Sequence, residues 1–463
     1  MSECPDHDRG NNGRHSSPSR RGVHRILGDQ PSAVAVIFTL SLAFSLCLWV
    51  FSYRALYGDA SNLLLAIIRT KDFFHVSSTR VTATFLTQSP VVSAIHAGVR
   101  SIPTLIMIYT FGLTIVPVIC HSAAIWTSRR DPFLLCASGV VVICCFYPLS
   151  FLLVSEANIY IALFWLSFIV LLTYKTDSIF RSSILLLTAI AALKAYETSV
   201  LFSLVLAGLC IARLRVSRTP PARTILVLAA LLYVAGSYFG LIGTIFPRDA
   251  ANESGFTDGL LQFWQNGTLL SVLLLTSMAI ASAFIIDRWL RVSIAAMAVL
   301  GFLVFGCSRI GAPAALSLGF VIYQRAQVFI VLGGLTLVLL VARFQSISPV
   351  SVRSFQPLAL AIPLIAVMVL DAHDSLDERA YLDQVCVQLA PGGRGPSSQF
   401  FETPAAKKFG WNWTFPTVSV LLRPLGSQKL LVEPSYAGWQ PFSTTLGVPD
   451  IDQFKAHGAF CHP

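Results

Sequence analysis

The chain has 463 residues, 55% hydrophobic and only 12% charged, where a soluble domain carries about 25% charged residues. Its apolar residues come in repeated runs, mostly of roughly 17 to 25, enough to cross about 30 Å of hydrocarbon. These runs lack the period-two alternation of barrel strands, which excludes a membrane β-barrel as well as a soluble globule and leaves a polytopic α-helical membrane protein. The net charge of +10 calls for no nucleic acid, because Lys and Arg gather in loops on one face.

Residues 1–30 are polar and arginine-rich (Arg9, Arg14, Arg20, Arg21, Arg25), which predicts a disordered cytoplasmic tail. The run Ser32 to Ser52 is too long for a signal-peptide core and lacks a small-residue cleavage site, so it reads as a retained anchor with the N-terminus inside. After it comes Tyr53-Arg54-Ala55-Leu56-Tyr57-Gly58-Asp59-Ala60-Ser61-Asn62, which puts an acidic residue where the chain leaves the far side of the membrane.

The first periplasmic loop, 54–101, is amphipathic. Leu63, Leu64, Leu65, Ile67 and Ile68 lie between Asp59 and Arg69-Thr70-Lys71-Asp72, and a second segment from Arg80 to Pro90 leads into Val91 to Val99. Both are expected to be helices lying on the membrane surface; ordinary surface helices without a ligand are the competing reading.

Eleven spans are expected at 32–53, 102–126, 133–154, 157–174, 182–198, 199–213, 224–246, 267–286, 291–308, 326–344 and 355–371. In this register every inside loop is basic, from Arg129-Arg130 through Arg213, Arg215, Arg218 and Arg223 to Arg343 and Arg353. That sidedness predicts a membrane domain over 31–371 with the C-terminus outside. One long tilted helix over Ser182–Arg213 is the alternative to two spans there.

Residues 372–463 are expected to form a small periplasmic α+β domain. Asp371-Ala372-His373-Asp374-Ser375-Leu376-Asp377-Glu378-Arg379 reads as a charged helix start, and Val418–Leu422 and Leu430–Val432 read as strands. The aromatic segment Trp411 to Phe415 fits either stacking on sugar rings or packing on the membrane domain. Cys386 and Cys461 bracket this tail and can pair if it faces an oxidising compartment. Most other cysteines fall inside apolar runs as small hydrophobes, and no cysteine or histidine spacing suggests zinc. There is no internal repeat, phosphate loop or dinucleotide fingerprint.

Ionisable groups near bilayer depth are costly and mark functional candidates. Here they are Asp59, Glu156, Lys194 with Tyr196 and Glu197, Arg248 with Asp249 and Glu253, and Tyr323-Gln324-Arg325. In the predicted topology all fall on the outer face. Two carboxylates on one cavity can divide the work of general base and acceptor orientation or metal holding. A cation such as Arg325 or Lys194 can meet a phosphate leaving group. Each has a plainer reading: Asp59 as a helix cap, Glu156 as a solvated turn, Lys194 and Glu197 neutralising each other, Arg325 as an interfacial anchor. His75, His96 and His121 are read as structural.

The pattern resembles the GT-C superfamily of integral-membrane glycosyltransferases. Tyr57-Gly58-Asp59 matches its acidic residue soon after the first span, Asn62 to Ile68 and Arg80 to Val99 match its loop helices, and the tail after Asp371 matches its outer domain. Phe73-Phe74-His75, Arg80 and Gln88-Ser89-Pro90 are similar to bacterial members. The paired acidic dipeptide of the family is absent, since Ala60 follows Asp59, which leaves the use of a divalent ion (Mg or Mn) open.

The resemblance implies a bacterial inner-membrane enzyme that moves a sugar from a polyprenyl-phosphate-linked donor to a periplasmic glycan, lipid or protein acceptor. Asp59 and Glu156 would be catalytic, and Arg80, Lys194, Glu197, Arg248, Tyr323 and Arg325 would bind substrate. A transporter or flippase for a lipid-linked or anionic solute is the rival reading, weakened by the one-sided charges and the missing repeat. An O-antigen polymerase or ligase is the other, set against by the outer C-terminal tail.

Overall fold

A computed structural model of the chain describes residues 30–75, 78–149, 156–173, 178–246, 267–284, 324–344, 357–390, 398–410, 414–424, 430–432, 451, 454, 460 and 461. The tail at 1–29 and the apolar run at 291–308 lie outside them. Among the described residues every regular element is helical.

The first apolar run forms α1 (Gln30–Ser52), and a 3-10 turn at Arg54–Leu56 follows it. The first loop then folds into α2 (Asp59–Thr70) and α3 (Val81–His96). Next come α4 (Ile102–Ser128), α5 (Pro132–Leu149), α6 (Glu156–Thr173), α7 (Ile179–Ala192), α8 (Ser199–Leu214) and α9 (Pro220–Ile245). Beyond these are α10 (Gly267–Phe284), α11 (Gln324–Phe344) and α12 (Ala361–Leu389), then the short α13 (Ser398–Glu402), α14 (Pro404–Phe409) and α15 (Phe415–Leu422).

Among the described residues six helices are long and apolar enough to cross a membrane: Pro31–Ser52, α4, α5, α6, α9 and Leu358–Leu389. Helices α7 and α8 and the apolar parts of α10 and α11 are shorter. The Ser182–Arg213 stretch is two helices rather than one, broken between Ala192 and Ser199.

The C-terminal expectation needs correcting. Val418–Leu422 is no strand: it lies in α15, whose residues are all buried and which has Pro416 in its first turn, where a fixed φ and a missing N–H suit a helix start. Leu430–Val432 has no regular structure. Asp371 likewise starts nothing, because α12 runs unbroken across it for 29 residues. At 1.5 Å per residue such a helix outruns the roughly 20 residues that hydrocarbon requires. Its second half, rich in Asp and Glu from Asp371 on, extends beyond the apolar first half.

Two local constraints place the first loop. Gly58, at the cap of α2, adopts φ 56°, ψ −143°, close to a region open essentially to glycine alone. It turns the chain from the 3-10 segment into α2 and so fixes where Asp59 sits. Gly112 on α4 lies directly under α3, where a Cβ would collide with the Thr87 carbonyl oxygen; its absence lets α3 lie against the span.

Candidate functional site

Two of the predicted outer-face carboxylates, Glu156 and Glu197, meet around Arg80, at the start of α3. Its Nε donates to Glu197 Oε1 at 2.8 Å and its Nη1 to Glu156 Oε2 at 3.2 Å. The Thr79 hydroxyl donates to the same Glu197 oxygen at 2.9 Å, and the guanidinium lies 5.2 Å from the centre of the Tyr196 ring. All three charged side chains are mostly shielded, at 12% to 19% exposure. Burial works against the charge on Arg80, but Glu156, Glu197 and Tyr196 outweigh it and raise its pKa above that of free arginine.

Arg80 therefore fastens the first loop to α6 and to the break between α7 and α8. The Thr82 amide donating to the Lys194 carbonyl at 3.1 Å reinforces the joint. Lys194 does not neutralise Glu197. Its ammonium sits 4.5 Å from the Phe239 ring centre, and Glu197 is taken by Arg80. The loop before α3 is held by Gln88, which accepts from the Phe74 amide at 2.8 Å and donates to the Phe74 carbonyl at 2.9 Å, while Phe73 stacks on Phe85.

Asp59 is exposed and is the first residue of α2, where the positive helix end favours a carboxylate. Tyr109 of α4 lies in the span that follows this loop. The Tyr109 hydroxyl is buried with no hydrogen-bond partner. Glu156, Arg80, Tyr196 and Glu197 thus form one cluster, and Asp59 opens the other helix of the same first loop. Arg248, Asp249, Glu253 and Tyr323 lie outside the described residues, as does the side chain of Arg325. Trp411 and Trp413 do too. His75 and His96 are exposed, and His121 is buried against Phe146.

A second charged cluster went unassigned from the sequence. Arg54, fully buried, donates to Asp371 Oδ1 at 2.8 Å, to the Asp371 carbonyl at 3.3 Å and to the Ser375 hydroxyl, and its Nε is 3.6 Å from Glu378. Trp49 Nε1 also donates to Asp371, at 2.7 and 3.0 Å to its two oxygens. Further along α12, Lys408 from α14 lies 2.8 Å from both Asp374 and Asp377. His373, Asp374 and Asp377 hold their ligand atoms within 4.8 Å of one another, but the Lys408 ammonium already supplies positive charge there. The signal available beforehand was spacing: Asp371, Asp374, Ser375 and Glu378 repeat at the period of one helix face.

The C-terminal helices cover the start of the first loop. Thr417 of α15 donates to Asn62 of α2, and Tyr57 packs edge-on to Phe409 at 6.4 Å. Arg379 lies over both Tyr53 and Phe460. Cys386 and Cys461 are disulfide-bonded with Cα atoms 5.3 Å apart, tying the end of α12 to residue 461. No protein family, curated protein or solved structure matches the chain.

Proposed function

We propose that this chain is a bacterial inner-membrane glycosyltransferase of GT-C type. It transfers a sugar from a polyprenyl-phosphate-linked donor to a periplasmic glycan, lipid or protein acceptor. The eleven-span topology with the N-terminus in the cytoplasm and the C-terminus in the periplasm is part of the same proposal. The observation that supports it is the joint at Arg80, which ties the first loop, whose helix α2 begins at exposed Asp59, to Glu156 of α6 and to Glu197 in the break before α8. The disulfide is consistent with a C-terminal segment in an oxidising compartment.

In this reading exposed Asp59 is the general base. It takes the proton of an acceptor hydroxyl as that oxygen bonds to the anomeric carbon, and the carbon–oxygen bond to the carrier phosphate breaks with its electron pair leaving on the phosphate. Glu156, engaged by Arg80, orients the loop and is an auxiliary acid rather than the base. Arg325 is the proposed phosphate contact, and Arg80, Lys194, Glu197, Arg248 and Tyr323 are the other proposed substrate-binding residues. A divalent ion fits poorly, because Mg²⁺ takes near-octahedral oxygen ligands while Asp59 is followed by Ala60 and Glu156 is occupied by a guanidinium. The step is therefore written without a metal.

Replacing Asp59 with Asn tests the reading. D59N is expected to reach the membrane in normal amount and to abolish transfer in a glycan-profile assay. Unchanged glycans in cells relying on D59N would remove Asp59 from the mechanism.

A further inference from the structure

The buried network around α12 has an unbalanced member. Glu378 is 1% exposed, and both its carboxyl oxygens are buried with no hydrogen-bond partner. The charged groups acting on it are two cations, Arg54 from the turn after α1 and Lys408 from α14, and two carboxylates of its own helix, Asp371 and Asp374. Lys408 also pairs with Asp377, and α15 ends on buried Arg423, so three cations already meet three carboxylates and an ionised Glu378 would be an uncompensated negative charge out of water. Burying an isolated carboxylate is prohibitive, and such a group neutralises instead. The other elements packed on α12 bring Trp49 from α1, Tyr147 from α5, which is hydrogen-bonded to Ser45, and Arg423 at the end of α15.

We propose that Glu378 is a proton-binding site whose occupancy holds the end of the first span against the C-terminal helices. A proton taken from water forms an O–H bond on the carboxyl and needs no coordination shell. A metal ion would need several oxygens, and the Arg54 Nε at 3.6 Å from the carboxylate would repel it. With Glu378 neutral, Arg54 stays on Asp371 and Ser375. When the proton leaves as the pH is raised, the new charge competes with Asp371 for Arg54. The guanidinium is then pulled from its hydrogen bonds, and the turn Arg54–Leu56 loosens. Asp59 follows five residues after Arg54, so the start of α2 moves with it. This stands independently of the glycosyl-transfer reading.

The test uses the full chain in detergent, with Glu378→Gln as the neutral mimic. Infrared difference spectra of the parent against E378Q should contain a carboxylic-acid C=O stretch at neutral pH that vanishes as the pH is raised. The melting temperature of the parent should fall relative to that of E378Q from about pH 4.3, where the unfolded carboxyl ionises, up to the pH at which that band vanishes, the two separating by about 1 °C for each kcal/mol of lost coupling in a chain of this length. A parent spectrum with no such band, or equal falls in both proteins, overturns the proposal. So does a sodium-dependent melting shift, against potassium at matched ionic strength, that E378Q abolishes. Glu378→Met provides a second neutral form; if neither variant folds, the ionised carboxylate is the native one and the proposal fails.

Discussion

Arg80 Nη1 donates to Glu156 Oε2 across 76 residues of chain at 3.2 Å, and this contact joins the first loop to the start of α6. With Nε on Glu197, one guanidinium closes three segments that the sequence keeps far apart. Its partners use both edges of the fork, which makes it a positioning residue first.

Arg80→Lys keeps the charge but loses the planar fork, so it cannot serve Glu156 and Glu197 with the same geometry. The loss should lie between the ~0–1 kcal/mol of an exposed pair and the ~3–5 kcal/mol of breaking a buried one. Thermal unfolding checks this. A double-mutant cycle with Glu197→Gln should show coupling, whereas a purely substrate-binding Arg80 would give additive stabilities.

Gly58→Ala puts a Cβ on backbone at φ 56°, ψ −143°, a strain of about 1–3 kcal/mol. It should lower the melting temperature and, by displacing α2, reduce any activity that depends on Asp59. Ser61→Ala, on the same helix, removes only a local hydroxyl contact to Gly58 and should be much milder in both assays.

Lys408 carries a pH prediction. Burial lowers its pKa, but Asp374 and Asp377 outweigh this and leave it raised. A raised lysine contributes stability that is fully present below its unfolded value, about 10.4, and lost as the pH climbs through the folded value. Lys408→Met should be less stable than the parent at neutral pH, and the gap should narrow at strongly alkaline pH. A gap that does not change with pH would mean that Lys408 stabilises through packing.

The sequence made the apolar helices legible, since unbroken hydrophobicity admits little else in lipid. It also foresaw the helices of the first loop, where Asp59 to Thr70 has apolar residues on one face and charges at its ends. It misread Val418–Leu422 because a short apolar β-branched run between turn residues fits a strand and a buried helical turn equally; Pro416 was the discriminating residue. The partners of Arg80 were out of reach because no local pattern encodes pairing across such separations. The burial of Asp371, Asp374 and Glu378 was hidden because acidic residues normally mark a solvated surface, and their cations, Arg54 and Lys408, come from opposite ends of the chain.

The account rests on Asp59 facing the periplasm. Asp59→Cys, in a chain whose eight cysteines outside the Cys386–Cys461 disulfide are replaced by serine or alanine, can be probed in intact cells with a thiol reagent that crosses the outer but not the inner membrane. The account predicts labelling without permeabilisation, at a rate matching a cysteine placed at exposed Lys71. Labelling only from the cytoplasmic side of inverted vesicles would contradict it.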